Sequence, residues 1–218
     1  MKQNTMKTIY EKFDKTIISK LPKAAFNGRI FTITTITEAD KAVEYLMEQS
    51  ILGLDTETRP SFKRGVMHEV ALLQISTKDV CFLFRLNRIG MTDSIVRLLE
   101  STNVMKVGLS LKDDFRNLQH RRAINVGTYI ELQDEVKELG IADCALQKIY
   151  ANLLGGYICK RQQLSNWEAD ILSDAQKSYA ATDAWACILI HEEILKLKRN
   201  KNYLLLKAEE PAATDSEA

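Results

Sequence analysis

Ile51-Leu52-Gly53-Leu54-Asp55-Thr56-Glu57-Thr58 is an apolar run of strand length that turns acidic at its C-terminal end. Alternate residues of a strand point to the same face, so Asp55 and Glu57 share one side of it. Ile51, Leu52 and Leu54 mark the strand as part of the core. Two carboxylates side by side near a core repel one another and resist ionisation unless a cation neutralises them. Read alone, the tripeptide also suits a strand end that emerges into solvent with ordinary surface acids.

Outward from this run, Val70–Ser76 (VALLQIS) and Val80–Leu86 (VCFLFRL) read as strands, and the Thr77-Lys78-Asp79 link is short enough for a hairpin. Gly28–Thr35 (GRIFTITT) is a further strand, rich in β-branched and aromatic residues. Thr37-x-x-Asp40 predicts the start of a helix that runs to about Gln49. Thr92 caps a helix over 92–101, 104–111 is a buried strand, 114–122 is helical and 129–136 extended. A helix over 143–156 ends at Gly155, and Ser173-x-x-Gln176 opens a last helix to about Lys198. Strands first and then strand–helix alternation predict a layered α/β domain with a mixed sheet. Ile9, Phe13 and Ile17, near helical spacing, predict a helix over residues 1–20. The expected organisation is therefore a helical N-terminal extension (1–27), a main domain (28–200) and a polar, disordered tail (201–218).

Thirty Lys and Arg balance 29 Asp and Glu, a net charge of +1, so any basic footprint for nucleic acid must be local. No stretch approaches the roughly 20 apolar residues of a membrane span, and the N-terminus lacks the apolar segment of a signal peptide. Cys81, Cys144, Cys159 and Cys187 show no C-x-x-C spacing, so buried, reduced thiols and a cytoplasmic setting are expected. His68, His120 and His191 are scattered and read as surface or packing residues. The absence of G-x-G-x-x-G and of a Walker P-loop removes the usual nucleotide-cofactor readings.

Two further acidic places complete the pattern. Asp113-Asp114 follows the strand at 104–111, where such residues also serve as a helix N-cap and first-turn acid. Tyr179 and Asp183, four apart in a helical stretch, stack on one face about 6 Å apart along the axis. Ala180, Ala181 and Ala184 beside them let that helix approach a sheet closely. Carboxylates at the ends of strands and helices, without His or Cys ligands nearby, suit hard cations such as Mg²⁺. A pair of such ions is a standard device for cutting a phosphodiester with water.

With these residues in order, the chain resembles the DEDDy 3′–5′ exonuclease superfamily, and within it the ribonuclease D and Werner-syndrome exonuclease domains. The resemblance rests on Asp55-x-Glu57, Val70–Ile75, Gly108-Leu109-Ser110, Ser165-Asn166-Trp167 and Gln176-x-x-Tyr179-Ala180-Ala181-Thr182-Asp183. It spans roughly residues 28–198. The family's second acid is followed by an apolar-x-x-Leu pattern, met here by Phe115 and Leu118, which selects Asp114, with Asp113 as the fallback. Ile171 stands where relatives often carry Pro, and Ser178 where the sister histidine branch carries His.

The resemblance implies a ribonuclease H-like three-layer α/β/α fold around a mixed sheet of five to six strands. It implies that Asp55, Glu57, Asp114 and Asp183 bind two ions, Mg²⁺ or Mn²⁺, with Asp55 shared between them, and that Tyr179 aims the attacking water. The expected products are 5′-mononucleotides released from single-stranded or otherwise free 3′ ends. Arg59, Lys63, Arg64, Lys160, Arg161 and Trp167 are candidate contacts to the strand, by charge or by stacking, while each basic group also reads as a solvated surface charge and Trp167 as packing at a helix start. A catalytically silent nucleic-acid-binding module on the same fold is the alternative.

Overall fold

The computed structural model describes residues 6–208. In chain order its strands are β1 (Lys7–Tyr10), β2 (Arg29–Ile33), β3 (Ile51–Thr58), β4 (Val70–Ser76), β5 (Val80–Phe84), β6 (Met105–Gly108), β7 (Tyr129–Glu131) and β8 (Tyr203–Leu206). Its helices are α1 (Lys15–Ile18), α2 (Ile36–Met47), α3 (Leu86–Ile89), α4 (Asp93–Glu100), α5 (Leu111–Gln119), α6 (Leu132–Glu138), α7 (Leu146–Leu154) and α8 (Asp174–Asn200).

Six strands form one mixed sheet in the order β2-β5-β4-β3-β6-β7. Strand β4 runs antiparallel to both β3 and β5, as the hairpin link predicts, and the other pairs are parallel. Leu52, Leu54, Leu73, Ile75, Phe82 and Phe84 turn to one face and pack with α2, α4 and α5. Leu72 and Leu83 turn to the other, under Ala180 and Ala181 of α8, and Val107 packs with α6, α7 and α8. The ribonuclease H-like three-layer α/β/α architecture is present, and β3 is central to it.

Helix α8 begins with the expected capping box, Ser173 accepting from the Gln176 amide at 3.2 Å. It lies across β3, β4, β5 and β6. Its approach is closest at Gly53, where a Cβ would stand 1.9 Å from the Ala184 carbonyl oxygen. Only a residue without a side chain fits there. Gly155 ends α7 with φ +64, as its place after an amphipathic stretch predicts.

The structure corrects several boundaries. Helix α2 starts two residues earlier than predicted, with Thr35 and Glu38 as the capping box, because Glu38 is long enough to reach back to the Thr35 amide. Of 129–136 only the first three residues are extended. Glu131 then caps α6, and Asp134 and Glu135 suit its positive N-terminal end.

In place of the expected N-terminal helix there are β1 and the single turn α1; residues 1–5 lie outside the described part. The 9–13–17 spacing misleads because Ile9 and Phe13 bury in different clusters and Ile17 is exposed. Strand β1 pairs in parallel with β8, formed from residues expected to belong to the polar tail. The Asn152 amide clasps the backbone of Tyr10 from both sides, at 2.9 and 2.7 Å. Residues 209–218, read as disordered, lie outside the described part. Among the described residues all four cysteines are free, but Cys144 is exposed and Cys159 half-exposed rather than buried. No described helix is long and apolar enough to cross a membrane.

The Gly53 contact is testable by denaturant titration. Gly53→Ala forces α8 off β3 and is expected to lower the unfolding free energy by about 3 kcal/mol. An unchanged midpoint would mean that α8 does not depend on the contact.

Candidate active site

Strand β3 delivers Asp55 and Glu57 to the face covered by α8, and a register shift between Glu57 and Thr58 ends the regular ladder at that point. Such bulges re-aim side chains at the ends of strands. Because Gly53 admits α8 so closely, Asp183 arrives one residue before the contact. One carboxylate oxygen from each of Asp55, Glu57 and Asp183 falls within 4.8 Å of the others. Asp183 and Glu57 are buried and Asp55 is half-buried.

Asp114 comes from the first turn of α5. The turn before it is held by Ser110, a non-glycine residue at φ +64, a conformation that costs about 1–3 kcal/mol and needs outside support. Glu131 accepts from the Ser110 amide at 2.8 Å, and Gln133 donates to its hydroxyl at 2.9 Å. So braced, α5 points half-buried Asp114 at β3, where the Thr56 hydroxyl donates to its Oδ1. Asp113 faces solvent and pairs with Arg116 at 3.1 Å. The structure thus brings Asp114, and not Asp113, to the cluster.

These acids suppress one another's ionisation. Burial, then Asp114, Asp183 and Glu57, hold Asp55 well above the ordinary carboxylate value. Burial, then Asp183 and Asp114, push Glu57 up to about 9. Burial raises Asp114 to about 7 against the Thr56 hydrogen bond, and Asp183 to about 7 against the Tyr179 hydroxyl and the Lys160 charge. Burial and then Asp183 hold the Tyr179 phenol far above its usual value, so it keeps its proton. Asp183 Oδ1 is sealed from solvent with no hydrogen-bond donor. An all-oxygen donor set with a buried orphan acceptor fits a hard divalent cation.

The surrounding cleft, about 280 Å³, is lined by the three clustered acids together with Lys160, Gln163 and Tyr179, among others. Arg161 lines an adjoining cavity instead. Lys63 and Arg64 stay on the exposed β3–β4 loop, and Arg59 reaches Glu168 at 3.1 Å; none of the three lines the cleft.

Trp167 is a correction. It is fully buried, its indole nitrogen donating to Gln163 O at 3.4 Å and its ring 6.0 Å from that of Tyr179. It supports Tyr179 from behind and has no face free for a base. The sequence motif that holds it makes structural sense, since the Gln176 amide donates to Ser165 and to the Asn166 carbonyl.

Sequence reasoning missed the bracing of Asp114 by the Thr56 side chain, and missed Glu131 and Gln74 as parts of the site. Gln74 sits directly across the ladder from Asp55, is wholly buried, and both its amide atoms lack partners. A lone glutamine inside the otherwise apolar run Val70–Ile75 was the available signal.

A family model described as 3′-5′ exonuclease matches residues 30–198. The chain belongs to the 3′–5′ exonuclease family. It is 32% identical over 209 residues to a 3′-5′ exonuclease of Arabidopsis thaliana, covering 84% of this chain and 69% of that protein. It is 29% identical over 172 residues to the bifunctional 3′-5′ exonuclease/ATP-dependent helicase WRN of Mus musculus, covering 76% of this chain and 12% of that one. The fold matches Trypanosoma brucei RNase D, solved in complex with RNA U12, with a TM-score of 0.68 at 16% identity, over 78% of this chain and 63% of that chain. This exonuclease domain thus spans a small part of the mouse protein. As a member of its family it is a hydrolase that depends on divalent metal.

Two outcomes follow from the site. Each clustered carboxyl is raised in the folded state, so its protonated form favours folding. That stability is complete below the ordinary values of 3.8 and 4.5 and is lost as pH rises through about 7 and on to about 9. In EDTA the melting temperature should therefore fall as pH rises across this window, less steeply in Glu57→Gln, and Mn²⁺ should offset the fall; equal slopes would contradict the burial argument. Gln74→Leu replaces two orphaned polar atoms with an apolar group of similar size. Its metal-free melting temperature should equal or exceed that of the wild type, and a clear drop would reveal a hydrogen bond that the geometry lacks.

Proposed function

We propose that this domain hydrolyses nucleic-acid phosphodiesters from a free 3′ end, releasing 5′-mononucleotides, with two Mg²⁺ or Mn²⁺ ions. The observation that supports this most is the convergence of Asp55, Glu57 and Asp183, together with the unpartnered Oδ1 of Asp183. In this reading Asp55, Glu57 and Asp183 hold one ion, and Asp55 with Asp114 the other. When bound, the ions lower the pKa of the attacking water and stabilise charge on the leaving oxygen.

The protein's own groups do the rest. Thr56 fixes Asp114 through its hydroxyl, and Trp167 backs the Tyr179 ring. Tyr179 keeps its proton; it positions the water as a hydrogen-bonding group and does not act as the base. Lys160, on the wall of the cleft, offers its charge to the scissile phosphate. Arg59, Lys63 and Arg64 guide the strand from the rim, and exposed Phe62 beside them takes the stacking role first assigned to Trp167. The RNA complex of the related RNase D supports a nucleic-acid substrate. A silent binding module is disfavoured because mere binding gains nothing from four acids that raise one another's pKa.

The test is a 5′-labelled single strand incubated with Mn²⁺. The wild type should produce a ladder from the 3′ end, and Asp55→Ala and Asp183→Ala should each lose at least about 100-fold in rate, as for a lost group that stabilises transition-state charge. Tyr179→Phe should lose about 100-fold, the cost of a misplaced water. Laddering that survives both acid substitutions would overturn the site.

A further inference from the structure

Beside the acidic cleft lies a second cavity of about 240 Å³, and the two share Ile158 and Tyr179 in their walls. Lys23 and Arg161 line it, and no carboxylate does. Neither cation makes an ion pair among the described residues, whereas Arg59, Arg121, Arg122, Lys148 and Lys198 all do.

Lys23 does not dangle there. The residues on either side of it are pinned to Tyr157, Ala24 N donating to Tyr157 O and Tyr157 N to Pro22 O, both at 2.9 Å. Three residues on, the Phe26 amide donates to Thr182 Oγ1 of α8 at 3.0 Å. The segment expected to be a separate extension is thus a wall of the site.

A neighbouring group registers the positive field. The Cys159 thiol is held below its ordinary value, first by the Tyr157 hydroxyl and the Arg161 amide, and also by the Arg161 and Lys23 charges. The cavity is smaller than the roughly 300–1,000 Å³ that encloses a whole small-molecule ligand. It suits a phosphate with part of its sugar.

The polarity of the substrate says which phosphate. A strand that is cut from its 3′ end presents a terminal nucleoside with a free 3′-hydroxyl and no phosphate beyond it. Any other phosphate near the scissile one lies upstream. We propose that Lys23 and Arg161 form the subsite for the phosphodiester immediately upstream of the scissile one, the second linkage from the 3′ end. This inference rests on the 3′–5′ exonuclease reading of the acidic cleft. It makes the N-terminal segment 22–26 part of the substrate channel. The rival occupant of the same chemistry is a 3′-terminal phosphate.

A charge-deletion cycle tests it. Lys23→Ala and Arg161→Ala should each raise KM about tenfold, the worth of one charge-assisted contact, with the loss falling on KM and not on kcat. The slope of log(kcat/KM) against log[salt] should be shallower by about 0.7 for one lost phosphate contact on a single strand. An uncharged methylphosphonate at the second linkage from the 3′ end removes both contacts, so it should cost the wild type about the product of the two variants' losses, cost Lys23→Ala only the remaining Arg161 share, and cost the double variant Lys23→Ala/Arg161→Ala little more.

Full additivity of linkage and side chain would overturn the proposal. So would variants that lose only a preference for 3′-phosphorylated ends. The same cycle read as binding, by fluorescence anisotropy in EDTA, needs no turnover. A protein that shows the coupling without cleaving would sink the nuclease reading and leave the subsite standing; one that cleaves without the coupling would do the reverse.

Discussion

The close approach of α8 to β3 at Gly53 is the constraint on which the site depends. A Cβ at that position would overlap the Ala184 carbonyl, and Ala180, Ala181 and Ala184 keep the rest of the helix face flat against the sheet. Asp183 precedes Ala184, and Asp55 lies two residues beyond Gly53 on the same strand face. The contact therefore sets the spacing between carboxylates carried by elements far apart in sequence. Moving the helix outward by the width of a methyl group would separate Asp183 from Asp55 and Glu57 without touching any of the acids. Small residues here are part of the chemistry, since a ligand set needs placement to a fraction of an ångström.

That placement opposes stability. Asp55, Glu57 and Asp183 share a poorly solvated cleft with Asp114 beside it, and burial raises all four, with Asp114 and Asp183 also making Asp55 and Glu57 harder to ionise. Gln74 adds a buried amide with no partner directly across from Asp55, their Cβ atoms about 4.5–5.5 Å apart. The surrounding fold tolerates this because it is otherwise well packed, with apolar clusters on both faces of the sheet. It also braces the strained turn at Ser110 through Glu131 and Gln133. Strain at Ser110 and unmet polarity at Gln74 and Asp183 thus fall beside the acidic cluster.

The pattern of legibility follows the range of the forces involved. Sheet strands with apolar runs, the β4–β5 hairpin, the Ser173 capping box and Gly155 as a helix stop were readable because local sequence decides them. The β1–β8 pair was not, since each strand is only four residues long and stands only against the other and the helices beneath it. Ile9, Phe13 and Ile17 mimic a helical stripe because three apolar residues four apart do so whether or not they bury together. The acids were readable as a set, through spacing and resemblance. Their supports were not, because Thr56, Glu131 and Gln74 matter only through what the fold places beside them. Trp167 looked like a stacking platform because the sequence shows an aromatic near basic residues and cannot show that the ring is covered.

The net charge of +1 concealed two opposed fields. Lys160, Lys23 and Arg161 gather where the acidic cleft meets its neighbouring cavity, and none of them pairs with a carboxylate among the described residues. Other cations of the chain do pair with surface acids, as Arg122 with Asp93 and Lys177 with Asp174, but these three do not. Left unpaired, they give this side of the cleft a positive field suited to the phosphates of a strand. On the proposed reading an approaching 3′ end would meet this cationic wall first, and bound cations would complete the neutralisation of the carboxylates under the scissile phosphate.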